Sequence, residues 1–436
     1  MAHSEPVFLL LQASSAAHLS RHDPKMRIKA LSLQSEAFSA VRSDIEKLQG
    51  PSESFVSDEL MLCTIIAGLT SAWYDVNDLG LSHILGSQVL LYLWLQQQKN
   101  RLKYQQTFIL GAFVYWFMIS AFVAGEPEGC LQYQESLQIT IRSLEMSHDI
   151  VDDTNVPKHL RRIIPHPLTG FSITLLNSVG KVGALCRIRQ NATVQRPGES
   201  LPDFLMTKAR LVESELLDHA HSSRSNFIDP QDPQTTIDEI LSVEEAYRCA
   251  GLLQLYTAFP HLLQRQAYHA FHDEADGLES ESLREKDNEC KRLNSVGEFT
   301  PPQYNWLRAL AFHILKILET VPATSGTRVL QGLAVLIAAA WLVDPMSVGF
   351  SSSEGDSSEA LLEHSQLPLK KSSATKEQWR DIVRCGLRTH VEYVGLQQVS
   401  RVLEIVEVIW RLDDLGGKKC DWMAVVALQG LQTLFG

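Results

Sequence analysis

The stretch YQQTFILGAFVYWFMISAFVAG, residues 104–125, decides how the rest of the chain is read. Its 22 residues carry no charge and lie between Lys103 and Glu126, which is length enough to cross a bilayer. Three features argue against a span. The stretch opens on the polar residues Gln105, Gln106 and Thr107, it contains Gly111 and Gly125, and no second run of similar length exists to pack beside it. The next most apolar run, VLQGLAVLIAAAWLV at 329–343, has 15 residues and is too short to span. Residues 104–125 are therefore expected to form a helix buried on every side within a large helical protein, with no membrane partner.

Helical periodicity continues outward from there. In IKALSLQSEAFSAVRSDIEKLQGP, Leu31, Phe38, Val41, Ile45 and Leu48 recur at steps of three, four or seven, and Gly50-Pro51 ends the run. LSHILGSQVLLYLWLQQQ, IDEILSVEEAYRCAGLLQLYTAF, YNWLRALAFHILKILETV, QWRDIVRCGLRTHVEYV and SRVLEIVEVIWRLDDL behave alike, while alternating strands and hairpin turns are scarce. The fold class is all-α: a large irregular domain of packed antiparallel helices.

The 436 residues are 45% apolar, enough for a substantial core. They are read as one helical domain, 1–436, interrupted by an acidic insertion at 272–302 and a serine-rich one at 346–378. Residues 222–236 form a proline-containing connector into a helix that starts near Thr236 or Asp238. With 39 basic against 51 acidic residues the formal charge is −12, which opposes direct contact with a phosphate backbone, and short pairs such as Arg161-Arg162 and Lys370-Lys371 do not build a basic patch. Seven cysteines, no two within 30 residues of each other, imply free thiols in a reducing compartment and offer no metal-ligand spacing. The sequon Asn191-Ala192-Thr193 then carries no meaning.

Carboxylate clusters invite the chemistry of isoprenoid synthases, in which facing helices hold magnesium against a diphosphate. Asp149, Asp152 and Asp153 stand in the order D-x-x-D-D, with Thr154 to Pro157 following, so the pair falls at a helix end instead of mid-helix. In NDLGLSHIL, Leu81 and Leu85 occupy positions where a hydroxyl and a carboxylate are needed, and Asp413-Asp414 precede two glycines and two lysines. Gly180-Lys181 lacks a P-loop, Ser82 lacks a nucleophile elbow, and His219 and His221 point about 200° apart on a helix. Glu215 shares a face with His219 but reads as a surface contact. No catalytic, cofactor-binding or metal residues are expected, and no cofactor.

Order and spacing of several segments go further. HILGS (His83, Ile84, Leu85, Gly86, Ser87) follows a helix rich in small residues and Trp73; HPLTGFS supplies Pro167, Leu168, Gly170 and Ser172; EEAYRCAGLL supplies Glu245, Tyr247 and Arg248; and the last helices carry Trp410, Asp421 and Trp422. Over residues 25–436 this series resembles the fungal-specific transcription factor domain, the regulatory region that accompanies zinc binuclear cluster DNA-binding modules. The matching positions read as core tryptophans, caps and close-packed glycines, with Asp421 placed to cap a last helix.

The resemblance implies a nuclear regulator of transcription, of metabolic or biosynthetic-cluster genes, responding to a small-molecule effector or to protein co-regulators. The six-cysteine zinc cluster of such regulators is absent from this sequence, with only Cys63 in the first 100 residues, so DNA is expected to be reached indirectly or through a cluster carried elsewhere. A helical enzyme of secondary metabolism with an unrecognised site is the other reading.

Overall fold

A computed structural model describes residues 4–48, 55–98, 102–123, 125, 127–147, 165–195, 201–219, 224–263, 299–343, 375–415 and 421–434. Among these residues there are helices and no strand, as an all-α fold requires. At the centre lies α6 (Tyr104–Ala121). From Ile109 to Val123 its apolar residues are all buried, Phe113, Trp116, Phe117 and Met118 at 1% exposure or less. The helix has no polar face because no face of it meets water. Among the described residues no helix is long and apolar enough to cross a membrane.

The neighbours of α6 are shaped to reach it. Against it pack α3 (Asp58–Leu69) and α8 (Ile173–Gln195). On α3, Gly68 lies flat on Trp116, where an added Cβ would fall 1.9 Å from the indole, so any larger residue forces the two helices apart. The polar start of α6 is held at a rim: the Gln106 amide donates to Asp58 Oδ1 at 3.1 Å, and Trp94 Nε1 donates to the same oxygen at 2.8 Å. Trp94 belongs to α5 (Leu81–Gln97), and α7 (Pro127–Ser147) packs along α8 while its Tyr133 ring meets Phe113 and Phe117 of α6.

A second fully sunk helix, α10 (Ile237–Ala258), packs on α8, on α9 (Asp203–Leu217) and on α11 (Pro301–Glu319). It starts where the connector was expected to end: Thr236 caps it, with Glu239 returning the bond to the Thr236 backbone. The run at 329–343 supplies the short buried helix α12 (Gln331–Ala339). Most of the expected insertions 272–302 and 346–378 lies outside the described residues, and so do Asp149, Asp152 and Asp153. Their described ends are ordered starts: Thr300 and Thr375 each cap a helix through a reciprocal bond to a glutamine three residues on.

The last helices are amphipathic. α13 (Lys376–Val394) and α14 (Gln397–Asp414) pack as a pair against α12, and α15 (Trp422–Gln429) closes on α14. At the other end of the sequence, α1 (Glu5–Leu19) and α2 (Lys25–Leu48) form a hairpin that rests on α3. On α2 Phe38, Val41, Ile45 and Leu48 pack against the core as expected, but Leu31 is 48% exposed, and the fully buried positions are Ala30 and Ala37. Small residues point inward there because α1 approaches closely, which displaces the larger side chains to the flanks.

Candidate functional site

Among the described residues, the carboxylates and basic residues singled out by spacing are ties between helices. Asp413 and Asp414 grip Arg380, which is 1% exposed: Nη2 donates to Asp413 Oδ2 at 2.8 Å, Nη1 to Asp414 Oδ1 at 2.7 Å and Nε to the Leu342 carbonyl at 2.9 Å. The guanidinium also lies 5.3 Å from the Trp410 ring centroid. Hydrogen bonding by Arg380 holds the Asp414 carboxyl below its ordinary range. Glu215 takes the ammonium of buried Lys181 at 2.9 Å and the Ser178 hydroxyl at 2.8 Å, and His219 turns instead to Glu244 at 3.1 Å. Glu215 and His219 therefore do not share a site, and His221 lies outside the described residues.

The residues of the family-like series also serve packing. Tyr247 Oη donates to the Leu330 carbonyl, Trp410 Nε1 to the Ala339 carbonyl at 2.9 Å, and Trp422 Nε1 to Gln254 Oε1 at 2.7 Å. Asp421 accepts from Met423 N at 3.1 Å and caps α15. Gly170 takes a left-handed φ of 76°. Leu85, by contrast, is 61% exposed. Cys63, Cys130, Cys186, Cys249 and Cys385 are free thiols.

Open space with chemistry around it occurs elsewhere, between the α1–α2 hairpin and the corner joining α13 to α14. A cleft of about 550 Å3 opens there, within the size range of small-molecule sites. It is lined by Trp73 and Tyr74, by His18, Arg21 and Arg27, and by Ala17, Ala30 and Ala72, with the His18 and Trp73 rings 6.1 Å apart between centroids. No carboxylate is among its lining residues, although the chain as a whole is strongly acidic. A field of this sign favours an anion over a cation or a neutral molecule.

The cleft is positioned by the corner itself. Gly395 ends α13 in a left-handed conformation, φ 72°, and its Cα faces His18, whose Nε2 would lie 3.0 Å from an added Cβ. His18 Nε2 bonds the Val394 carbonyl at 2.8 Å and Arg21 Nη1 donates to the Val391 carbonyl at 3.3 Å, so the hairpin is tied to the C-terminal end of α13. Behind the wall Gln398, 1% exposed, has no hydrogen-bond partner for either its Nε2 or its Oε1. It separates the cleft from a chamber of about 10 Å3 that also touches His390, Val402 and Leu434. His390 Nε2 is likewise buried without a partner, and burial, aided by the nearby Arg328 charge, lowers the pKa of the ring to about 4. A buried amide that is unbonded costs on the order of 1–3 kcal/mol, and a ligand or side-chain shift that satisfies it recovers that amount.

Of these cleft residues sequence reading named Trp73 alone, and as a member of the family-like series instead of a binding residue. They come from α1, the turn after it, α2, the segment around Trp73 and the α13–α14 corner, so no local spacing connects them. Arg21 and Arg27 have Asp23 between them in sequence, so their charges carried no signal there.

A family model described as fungal specific transcription factor domain matches residues 1–436. No curated protein and no solved structure matches the chain. The family is one of transcription regulators, and the role that follows from it is regulatory.

Proposed function

The chain belongs to the fungal specific transcription factor domain family, and from that membership we propose that it is the effector-responsive regulatory domain of a nuclear transcription regulator. In this reading residues 1–436 act as one helical domain, and the cleft between the α1–α2 hairpin and the α13–α14 corner receives a small organic acid. The observation that carries it is the lining: two arginines, a histidine and two aromatic rings, with no carboxylate, in a chain of formal charge −12. An acid with an apolar body would place its carboxylate at Arg21 and Arg27 and its body on Trp73 and Tyr74.

The mechanism is a population shift. A ligand that touches both the hairpin and the corner favours the arrangement in which the two are docked, and its regulatory effect equals its difference in affinity for docked and undocked states. Metabolic or biosynthetic-cluster genes are the natural targets of such a sensor. Contact with DNA falls to a partner or to a zinc cluster outside these residues, and co-regulators read the state of the helical domain.

The experiment is a thermal-shift panel of aromatic and aliphatic carboxylic acids, each beside its primary amide, on the purified chain and on Arg21→Glu/Arg27→Glu. A stabilising acid whose amide is inert, and whose effect disappears in the double variant, is the expected result. Equal shifts for acid and amide, or an undiminished shift in the variant, would refute the cleft as the effector site.

A further inference from the structure

Away from the cleft, three side chains of different chemistry meet between α10 and α11. Glu245 and Cys249 are four residues apart on α10 and so share a face, and His313 comes from α11, which packs along it. One donor atom from each lies within 4.8 Å of the other two. Cys249 Sγ is 3.2 Å from Glu245 Oε1, and His313 Nε2 is shielded from solvent and has no hydrogen-bond partner. We propose that Glu245, Cys249 and His313 form a binding site for a divalent transition-metal ion of the Zn2+ or Co2+ class, a site that spacing along the sequence does not suggest.

The donor set fits that class of ion. Thiolate, imidazole and carboxylate bind Zn2+ at about 2.3, 2.0 and 2.1 Å, which in a tetrahedron sets neighbouring donors roughly 3.5 Å apart. Cys249 Sγ and Glu245 Oε1 already stand close to that spacing, and no pair of the three donors exceeds 4.8 Å. Sulfur and imidazole select against Mg2+ and Ca2+, which take oxygen. Glu245 is already aimed: Arg248 donates from Nε to Oε2 at 2.7 Å and from Nη2 to Oε1 at 2.8 Å, and Cys249 Sγ lies 3.2 Å from the same Oε1, a contact that loss of the thiol proton turns over to the ion.

Charge is the opposing factor. Thiolate and carboxylate offset a divalent ion, but Glu245 also offsets Arg248, so the loaded cluster carries one net positive charge, with Lys316 close by. Burial lowers the pKa of His313 and so keeps the ring neutral and able to donate a lone pair. It also holds the Cys249 thiol protonated, so the ion takes the place of the thiol proton, which leaves to solvent, and affinity rises with pH. Only three protein donors occur among the described residues here, which leaves a fourth position for water or another ligand. A bound ion would staple α10 to α11, the helices on either side of residues 264–298.

The test uses the full chain, stripped with chelator and titrated with Co2+. One equivalent should produce a sulfur-to-cobalt charge-transfer band, and X-ray absorption of the loaded protein should count one sulfur among lighter donors. His313→Gln and Cys249→Ser should each weaken Co2+ binding at least about tenfold, whereas His219→Gln should not. Absence of the band, more than one sulfur, or an unchanged titration in folded His313→Gln would show that Cys249 merely donates a hydrogen bond to Glu245. The sulfur count is made on the unaltered chain, so a variant that fails to fold does not remove the test.

Discussion

α6 and the α13–α14 pair are both buried, yet they treat polar groups in opposite ways. The first is a nearly unbroken apolar run sunk on all sides, and the second keeps an arginine, a histidine and a glutamine inside, each less than 5% exposed. Within the pair there is a further division. Arg380 has every nitrogen engaged, while His390 Nε2 and the Gln398 amide are engaged by nothing. Bonded charge ties the pair together and to the segment after α12, and unbonded neutral groups lie beside the cleft. Core burial in this molecule therefore sorts into a region that only stabilises and one that stabilises incompletely, next to a cleft.

Removing bulk from the first region should have the largest effect. Trp116→Ala takes a fully buried indole from between α6 and α3 and should cost about 3–5 kcal/mol, read as a lower denaturant midpoint, with no selective change in acid binding by the surviving folded protein. Arg380→Met comes next. It strands Asp413, which is 10% exposed, and should destabilise by about 3 kcal/mol; a neutral or stabilising result would mean that the helix pair is held by apolar packing alone.

A pH titration separates the two kinds of buried polar group. The pKa of His390 is lowered from 6.5 to about 4, so between those values the unfolded chain binds a proton that the folded chain refuses. Its contribution is complete above the unfolded value and declines as pH falls through that window, by up to about 3 kcal/mol. His390→Leu should flatten this acid limb of the stability curve, and an unchanged limb would place the transition on other groups.

The smallest expected effect on stability, and the largest on ligand, belongs to the cleft. Arg27→Glu changes an exposed side chain and should shift stability by less than about 0.5 kcal/mol while weakening acid binding by roughly tenfold. A loss of stability comparable to that of Arg380→Met would erase the distinction between the regions.

The two regions were unequally legible beforehand. An uncharged run of 22 residues announces a buried helix whatever surrounds it, and caps such as Thr236 and Asp421 act within four residues, so their signals survive in one dimension. On α2 the periodicity placed Phe38, Val41, Ile45 and Leu48 against the core but not the exposed Leu31, because closeness to α1 favours alanine over leucine at that end and that closeness is a tertiary fact. Asp413 and Asp414 looked like ligands only until Arg380, more than 30 residues upstream, was placed against them. The cleft needed five segments to meet, and the Glu245–Cys249–His313 group needed two, of which spacing could have flagged only the i, i+4 pair.

The bond from His18 to the Val394 carbonyl joins residues 376 positions apart. At ribosomal speeds of roughly 5–20 residues per second, the α1–α2 hairpin waits on the order of twenty seconds or more for the helix it docks on. Throughout that interval Trp73 and Tyr74 lack the corner that faces them, so a newborn chain passes through a stage in which the cleft exists as an exposed half. Chaperone demand should therefore peak late in translation, and the two sides of the cleft meet only with the last helices, all at once.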